Sequence, residues 1–342
     1  MGTGRRGTAV TFAVLSVLLV LFFFADILLG SVKIPAQDTL SVLFGRQAET
    51  VTANLIFSFR LPKAITALLA GAALSASGLQ MQTLFRNPLA GPYILGISSG
   101  ASLGVSLFLL GIPVLGLTFG SEAIRNIGIT GAAWIGSAAI LGIIFAAATR
   151  VKDILAILIL GMMIGSGATA IVSILQYFSP EAALKSFVIW TMGSLGGVSL
   201  SQLWMMALFI GIGLLLAVYL IKPLNILLLG EAYAQTMGQN IRAARTVIFI
   251  STILLAGTVT AFCGPIAFIG TAVPHIARMI FRNADHRVLM PASMLTGSII
   301  MLACDIISQL PGTGMILPVS AITSLVGIPV VIYVILQNRR IF

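Results

Sequence analysis

One stretch of the chain reads Arg86-Asn87-Pro88-Leu89-Ala90-Gly91-Pro92-Tyr93-Ile94-Leu95-Gly96-Ile97-Ser98-Ser99-Gly100. It lies between two long apolar runs, Ala64 to Leu84 before it and Ala101 to Leu110 after it. Proline removes a backbone donor and blocks a helix, so the two prolines predict that the helices stop here. Non-helical backbone at membrane depth is tolerated only where it is buried in protein or lines a wet cavity. The stretch is therefore either an ordinary loop or part of a pathway.

The composition of the 342-residue chain indicates a membrane protein. Hydrophobic residues make up 58% of it and charged residues 8%, whereas a soluble domain carries about 25% charged residues. The apolar runs are continuous and do not alternate, which excludes a β-barrel. The formal net charge of +10 does not indicate a nucleic-acid partner, because the basic residues lie at the ends of apolar runs, as membrane orientation requires. We expect an all-α polytopic membrane protein in contact with lipid.

Crossing the membrane takes about 20 apolar residues, and ten segments are candidates. They are 8–30, 54–84, 93–111, 128–149, 154–177, 201–221, 244–262, 264–280, 288–308 and 316–337. Ten crossings place both termini in the cytoplasm and leave a majority of the 19 basic residues inside. The inside residues are Arg5, Arg6, Arg86, Arg150, Lys152, Lys222, Arg242, Arg245, Arg278, Arg282, Arg287, Arg339 and Arg340. This bias supports the ten-helix topology.

The motifs of catalysis and cofactor binding are missing from the sequence. It contains no Gly-Lys pair, so it cannot cradle a nucleotide phosphate in a P-loop. If the protein is an active pump, its ATPase is another subunit. Cys263 and Cys304 lie in apolar runs and are interpreted as small hydrophobic residues. No metal-ligand spacing occurs, and we expect no cofactor on this chain.

Two other functions remain as alternatives on the residues alone. An ion-coupled secondary transporter would need ionisable residues inside its spans, and the candidates, Asp26 and Asp305, lie near the outer ends of theirs. An intramembrane serine hydrolase could pair Ser98 or Ser99 with His275. A serine beside glycine in a membrane helix is more often a packing residue, however.

Two polar segments could contact partners. The first, here called the inner segment, covers about residues 230–240 on the predicted cytoplasmic side, with Glu231 placed to favour a helix N-terminus and Gly238 to end the helix. Such a short helix suits either docking into a partner's groove or a connector on the membrane surface. At the outer end of the second span, Arg60 and Lys63 flank Pro62. They are either interface residues or a basic docking point for an acidic partner.

Several blocks of the sequence resemble the FecCD-type permeases of ABC importers, which serve iron-siderophores, haem and vitamin B12. The blocks are Arg60-Leu-Pro-Lys63, Ala70-Gly-Ala-Ala-Leu-Ser75, Arg86-Asn-Pro-Leu-Ala90, Trp190-x-Met-Gly-Ser194, Gly230-Glu-Ala232, Met237-Gly238, Gly264-Pro-Ile-Ala-Phe-Ile-Gly270, Pro274-His-Ile-Ala-Arg278 and Asp285-His-Arg287. They occur in the family's order and cover nearly the whole chain after Gly30. Two departures are Lys63, where the family more often has Arg, and Gln309, where it often has Arg.

The resemblance implies a vitamin B12 permease-like fold: ten transmembrane helices in one permease domain, 1–342, of the bacterial cytoplasmic membrane. It implies four kinds of partner: a second permease copy, two ATPase subunits that use ATP, an extracytoplasmic substrate-binding protein, and lipid. The inner segment would couple to the ATPase through Gly230, Glu231, Ala232, Ala234, Met237 and Gly238. Asn87, Pro88 and Leu89, here called the inner turn, would help to form the inner gate. Arg60 and Lys63 would meet the binding protein.

The same resemblance assigns the pathway to the fifth and tenth spans. The fifth carries a face of small residues, which permits close sliding or a wide channel. These residues are Gly161, Gly165, Ser166, Gly167 and Ala168. No residue on the chain has the character of an iron, cobalt or haem ligand, so we expect the permease to pass its ligand through a weakly binding path.

Overall fold

The structure, a computed structural model, describes residues 2–43, 50–112, 122–148, 151, 153–310 and 315–338. Four of the basic residues assigned to the inside, Arg150, Lys152, Arg339 and Arg340, lie outside these ranges. All regular secondary structure within the ranges is helical, which confirms the all-α prediction.

The α-helices follow one another along the chain, with short turns of other helical types between some of them. They are α1 (Gly2–Leu28), α2 (Ala36–Leu43), α3 (Thr50–Leu55), α4 (Leu61–Leu84), α5 (Ile97–Ser106), α6 (Glu122–Ala148), α7 (Ile154–Phe178), α8 (Glu181–Thr191), α9 (Leu200–Tyr219), α10 (Ile221–Leu227), α11 (Glu231–Thr236), α12 (Ile241–Thr252), α13 (Thr258–Cys263), α14 (Ile269–Phe281), α15 (His286–Ser308) and α16 (Val319–Asn338). Turns of π-helix continue α3 into α4, α5 to Gly111, and α12 into α13.

Within the described ranges, eight helical segments are long and apolar enough to cross a membrane. They are Gly7–Leu28, Val51–Leu84, Ile127–Ala147, Leu155–Phe178, Leu200–Tyr219, Ile241–Cys263, His286–Ser308 and Val319–Leu336. Two further apolar helices, Ile97–Gly111 and Ile269–Phe281, are shorter. The count of ten crossings, the cytoplasmic termini and the single permease domain stay predictions.

Helix α4 lies at the centre of the fold and packs against α15, α14 and α9. Its small residues allow this, because a glycine without a Cβ lets a neighbouring backbone come into contact. A Cβ on Gly71 would overlap the backbone of Gly297 in α15, and one on Gly78 would overlap the carbonyl oxygen of Gly270 in α14. The three helices therefore meet backbone to backbone.

A second crossing of the same kind joins α5 to α6. A Cβ on Gly100 would press on the carbonyl oxygen of Gly136, and a Cβ on Gly136 would press on that of Gly100. Helix α1 differs from both pairs, because only 6% of its most apolar window is buried. It packs mainly against α15, and its Phe12 ring lies 4.6 Å from that of Phe281.

The polar stretch that follows α4 breaks the helix as the sequence predicts. Helix α4 ends at Leu84, and Arg86 adopts a left-handed conformation with φ of 48°. A single 3-10 turn, Pro92–Leu95, leads to Gly96 with φ of 74°, and α5 begins at Ile97. The left-handed value at Gly96 favours glycine, since it has no Cβ to clash. The break thus places a non-helical segment between two apolar helices.

Candidate functional site

The inner turn is folded on itself and tied to α14. Asn87 Oδ1 accepts a hydrogen bond from the backbone N–H of Leu89 at 2.9 Å, a local turn typical of asparagine. His275 Nε2 lies 2.7 Å from the carbonyl oxygen of Pro88, and it carries the proton because a carbonyl can only accept. Pro88 is exposed, and so is Leu89, by 39%. The turn therefore exposes the apolar side chains of Pro88 and Leu89, while the hydrogen bond to His275 ties it to α14.

The end of α4 next to this turn holds a buried polar pair. Gln82 Oε1 accepts from Arg278 Nη1 at 2.7 Å, and Gln82 Nε2 donates to the carbonyl oxygen of Thr271 at 2.9 Å. Both partners belong to α14, so one amide fixes the rotation of α4 against α14. The sequence placed Arg278 on the inner face, but it carried no signal that Gln82 is its partner.

A second polar cluster joins α4, α10 and the start of α15. Asn225 Nδ2 donates to Asp285 Oδ1 at 2.6 Å, and Asn225 Oδ1 accepts from the backbone N–H of His286 at 2.8 Å. His286 Nε2 lies 2.8 Å from Thr83 Oγ1. The pKa of the Asp285 carboxyl is lowered, first by the backbone N–H of Arg287 and then by the Asn225 amide. Asp285 is therefore ionised at neutral pH and caps α15.

The inner segment contains helix α11 and is anchored by an ion pair. Arg245 Nη2 donates to both carboxylate oxygens of Glu231, at 2.6 and 2.8 Å. Gly238 follows the helix with φ of 77°, as expected for a residue that ends a helix. Gly230 has a φ of 102° and lies beside the Arg86 guanidinium. A Cβ added to Gly230 would lie 3.5 Å from Arg86 Nη1. The inner segment and the residue before the inner turn are thus neighbours.

The predicted coupling residues differ in exposure. Ala232, Met237 and Gly238 are exposed, Glu231 is half-buried, and Gly230 and Ala234 are buried. Tyr233, which the sequence analysis did not single out, is 53% exposed and lies on the same short helix as Ala232. A partner would therefore meet Tyr233 and Met237 before Ala234.

Arg60, predicted to be a docking residue, is directed into the protein. Its Nη1 donates to the carbonyl oxygens of Ile27 and Leu28 at 2.9 and 3.1 Å, and its Nη2 donates to that of Val32 at 2.6 Å. Only 7% of Arg60 is exposed. The guanidinium satisfies carbonyls at the end of α1 that no intrahelical donor reaches.

Lys63 belongs to a second outer cluster. Its Nζ lies 3.1 Å from Asp305 Oδ2. Gln309 Nε2 donates to the same oxygen at 2.9 Å and to Asp26 Oδ1 at 3.0 Å. The two acids that the sequence considered for ion coupling are therefore bridged by one amide. Gln309, which stands where the family often has Arg, is 6% exposed and faces them. Docking through Arg60 and Lys63 stays a prediction.

The small residues of α7 are divided between two faces. Gly161 and Gly165 are buried against the segment after the inner turn. A Cβ added to Gly161 would lie 3.1 Å from Leu95 Cα, and one added to Gly165 would lie 3.3 Å from Ser99 Oγ. Ala168 is buried as well, whereas Ser166 and Gly167 are exposed. The pathway role of all five stays a prediction, and only the exposed pair is accessible to a ligand here.

Ser98, Ser99 and His275 do not form a catalytic arrangement in the described part of the chain. In the described residues, no hydrogen bond joins Ser98 or Ser99 to His275, whose Nε2 is bonded to Pro88. No group of three or more His, Cys, Asp or Glu side chains within the described ranges could hold a metal ion. The geometry thus offers no support for the hydrolase alternative.

The chain belongs to the FecCD transport family, whose model matches residues 18–337. It is a multi-pass permease of the ABC-importer class in the bacterial cytoplasmic membrane, and it is a transport component, not an enzyme.

Relatives that are named for their transport functions agree with this class. The chain is 37% identical to the vitamin B12 import system permease protein BtuC of Klebsiella pneumoniae, over 83% of each chain. It is 36% identical to the hemin transport system permease protein HmuU of Yersinia pestis, over 91% of this chain and 92% of the other. A solved inward-facing transporter, described as of the metal-chelate ABC type, matches 96% of this chain and 99% of its own with a TM-score of 0.82 and 29% identity.

Proposed function

We propose that this permease moves an iron complex (siderophore or haem) or cobalamin inward across the membrane. Support comes from the relatives, one named for vitamin B12 import, one for hemin transport, and one solved structure described as of the metal-chelate type. A weakly binding path suits such large ligands, because the chain need only pass them while a separate binding protein holds them.

The observation that carries the proposal is the inner segment. The six-residue helix α11 exposes Tyr233, and Met237 is exposed at its C-terminal end. The Glu231–Arg245 ion pair anchors this helix, and Gly230 at its start lies beside Arg86. An anchored helix with these exposed side chains, next to the inner turn, suits a partner that pushes on it. We infer that each of two ATPase subunits seats this segment of one permease copy and supplies the ATP.

The substitution Met237→Asp is expected to weaken ATPase binding at least tenfold. A carboxylate at position 237, at the C-terminal end of the seated helix, must be desolvated without a partner, which costs several kcal/mol. The measurement is co-purification of the ATPase, with ATP-driven uptake in liposomes. Asn240→Asp is the matched control, because it adds the same charge nearby and an aspartate still caps α12 in place of Asn240. Equal loss in both variants would contradict a seat at Met237.

Ligand identity is tested with the whole complex. Liposomes containing the permease and its ATPase, with the binding protein outside, are offered cobalamin, haem and a ferric siderophore in turn. We expect ATP-dependent accumulation of one of them. Accumulation without the ATPase would favour the ion-coupled alternative, and failure with all three would contradict the ligand class.

A second copy of the chain is expected to meet the first at the inner turn. Two copies carrying Leu89→Cys should form a disulfide within minutes of mild oxidation, because the proposed gate brings the two inner turns together. A disulfide needs Cα atoms within about 7 Å, so the bond reports that the turns meet. Cys263 and Cys304 are buried and should not interfere. Val32→Cys, 55% exposed near the end of α1, is the control. A dimer band with Val32→Cys alone would contradict the proposed gate.

On the outer face, we propose that Lys63 contributes to docking of the substrate-binding protein. Lys63 borders a cavity of about 220 Å³ together with Asp305, Ser194 and Leu317. A cation at such an opening favours association with an acidic surface. The role of Arg60 in docking is less direct, since its three hydrogen bonds would have to break first.

A further inference from the structure

We propose that His286 is a positioning residue that transmits movement of the inner segment to the inner turn. The proposal rests on the proposed function, because it assumes that an ATPase moves the inner segment. It concerns the cluster of Thr83, Asn225, Asp285 and His286, of which Thr83 and His286 are buried, and to which neither the gate nor the coupling assignment gave a role.

The first step is the connection between the inner segment and α15. Helix α10 ends at Leu227, three residues before Gly230, so Asn225 moves with the base of the inner segment. Its amide bridges Asp285 and His286 at 2.6 and 2.8 Å. A side-chain amide that donates to one residue and accepts from the next holds both at a fixed distance. Displacement of α10 therefore displaces the start of α15.

The second step is the imidazole itself. Asn225 Oδ1 lies 2.8 Å from His286 Nδ1. Because Asn225 Nδ2 is already used by Asp285, the atom that faces Nδ1 is an acceptor, and Nδ1 must carry the proton. Nε2 then faces Thr83 Oγ1 at 2.8 Å, and the single hydroxyl proton is shared between Nε2 and the carbonyl oxygen of Leu79, 2.9 Å from Oγ1. One neutral imidazole satisfies both contacts, and no part of His286 is exposed.

The third step is the connection from Thr83 to the inner turn. Thr83 is in the last turn of α4, four residues before Asn87. The backbone N–H of Asn87 donates to the carbonyl oxygen of Gln82, and that of Arg86 donates to Thr83 itself. A shift of Thr83 is therefore passed through backbone hydrogen bonds to the base of the turn. The His286 side chain contacts both Asn225 of α10 and Thr83 of α4.

The test uses Thr83→Val, which removes the hydroxyl at nearly constant volume and leaves the imidazole in place. The complex with its ATPase carries Leu89→Cys, and the labelling of this cysteine by a maleimide is measured with and without ATP. We expect the nucleotide-dependent change in labelling rate to fall about fivefold, the equilibrium factor of one hydrogen bond. ATP hydrolysis should stay within twofold of the parent, so transport per ATP falls.

The control is Thr296→Val in α15. Thr296 is buried, and its hydroxyl has no hydrogen-bond partner among the residues that the structure describes. The same substitution there should leave both readouts unchanged, and Thr83→Ser, which restores the hydroxyl, should recover the labelling change. A full labelling change in Thr83→Val would overturn the role of His286. No nucleotide dependence in the parent complex would instead overturn the proposed coupling, and this inference with it.

Discussion

Gly78→Ala is expected to abolish stable folding of the permease. An added Cβ at Gly78 would overlap the carbonyl oxygen of Gly270, a backbone atom that cannot rotate away as a side chain does. Relief requires α4 and α14 to separate along their contact, which also strains the Gln82–Arg278 and Gln82–Thr271 hydrogen bonds. Overpacking of this kind costs about 3 kcal/mol or more. The measurement is the midpoint of thermal unfolding in detergent, with the yield of monodisperse protein.

The matched control for this substitution is Gly211→Ala in α9, where an added Cβ would have no atom within 4 Å. Its midpoint should lie at or slightly above that of the parent, because alanine in a helix is favoured over glycine by about 1 kcal/mol. If both alanine variants unfold at the parent's temperature, α4 and α14 are not in backbone contact. If both unfold early, the cost arises from helix chemistry and not from the crossing.

Arg60→Met is expected to destabilise the fold by about 3 kcal/mol. Hydrogen bonds from a charged donor are worth about 1.5–3 kcal/mol each, and this substitution leaves the carbonyls of Ile27, Leu28 and Val32 without their donor. Methionine retains much of the apolar stem, so the loss reports on the guanidinium. Unfolding is followed as for Gly78→Ala, and affinity for the binding protein is measured at a temperature where the variant is folded.

Two outcomes separate a structural Arg60 from a docking Arg60. A structural residue lowers the unfolding midpoint while the folded fraction keeps its affinity for the binding protein. A docking residue lowers the affinity and leaves the midpoint near the parent's. Arg242→Met serves as the control, since Arg242 is exposed and its side chain has no hydrogen bond among the described residues.

Local features of this fold were predictable because their causes are local. Pro88 prevents α4 from continuing beyond its end at Leu84, and Gly238 follows the end of α11, through backbone restrictions that act within a few residues. The apolar helices follow from composition for the same reason. Which residues of α11 are exposed was not predictable, because six residues carry less than two turns of periodicity. In the structure Ala234 is buried while Tyr233 is exposed.

The contacts of the charged residues were not predictable from spacing. Arg60 reaches carbonyls 28 to 33 residues away, and His286 meets Thr83 across 203 residues. Their partners depend on how α1, α4 and α15 come together in three dimensions. The sequence pattern of a basic residue near a proline is the same whether its side chain points outward or caps a helix. The packing of the helices decides between the two.

The position of α1 also constrains how the chain is made. It leaves the ribosome before α15, yet it packs mainly on α15, and its Phe12 ring meets Phe281. At 5–20 residues per second, roughly 15–55 s pass between the synthesis of those two rings. During that interval α1 resides in lipid without its final neighbour, and its mean hydropathy of 2.6 allows this. Its acid, Asp26, lies near one end, where the interface is close, until Gln309 is synthesised to bind it.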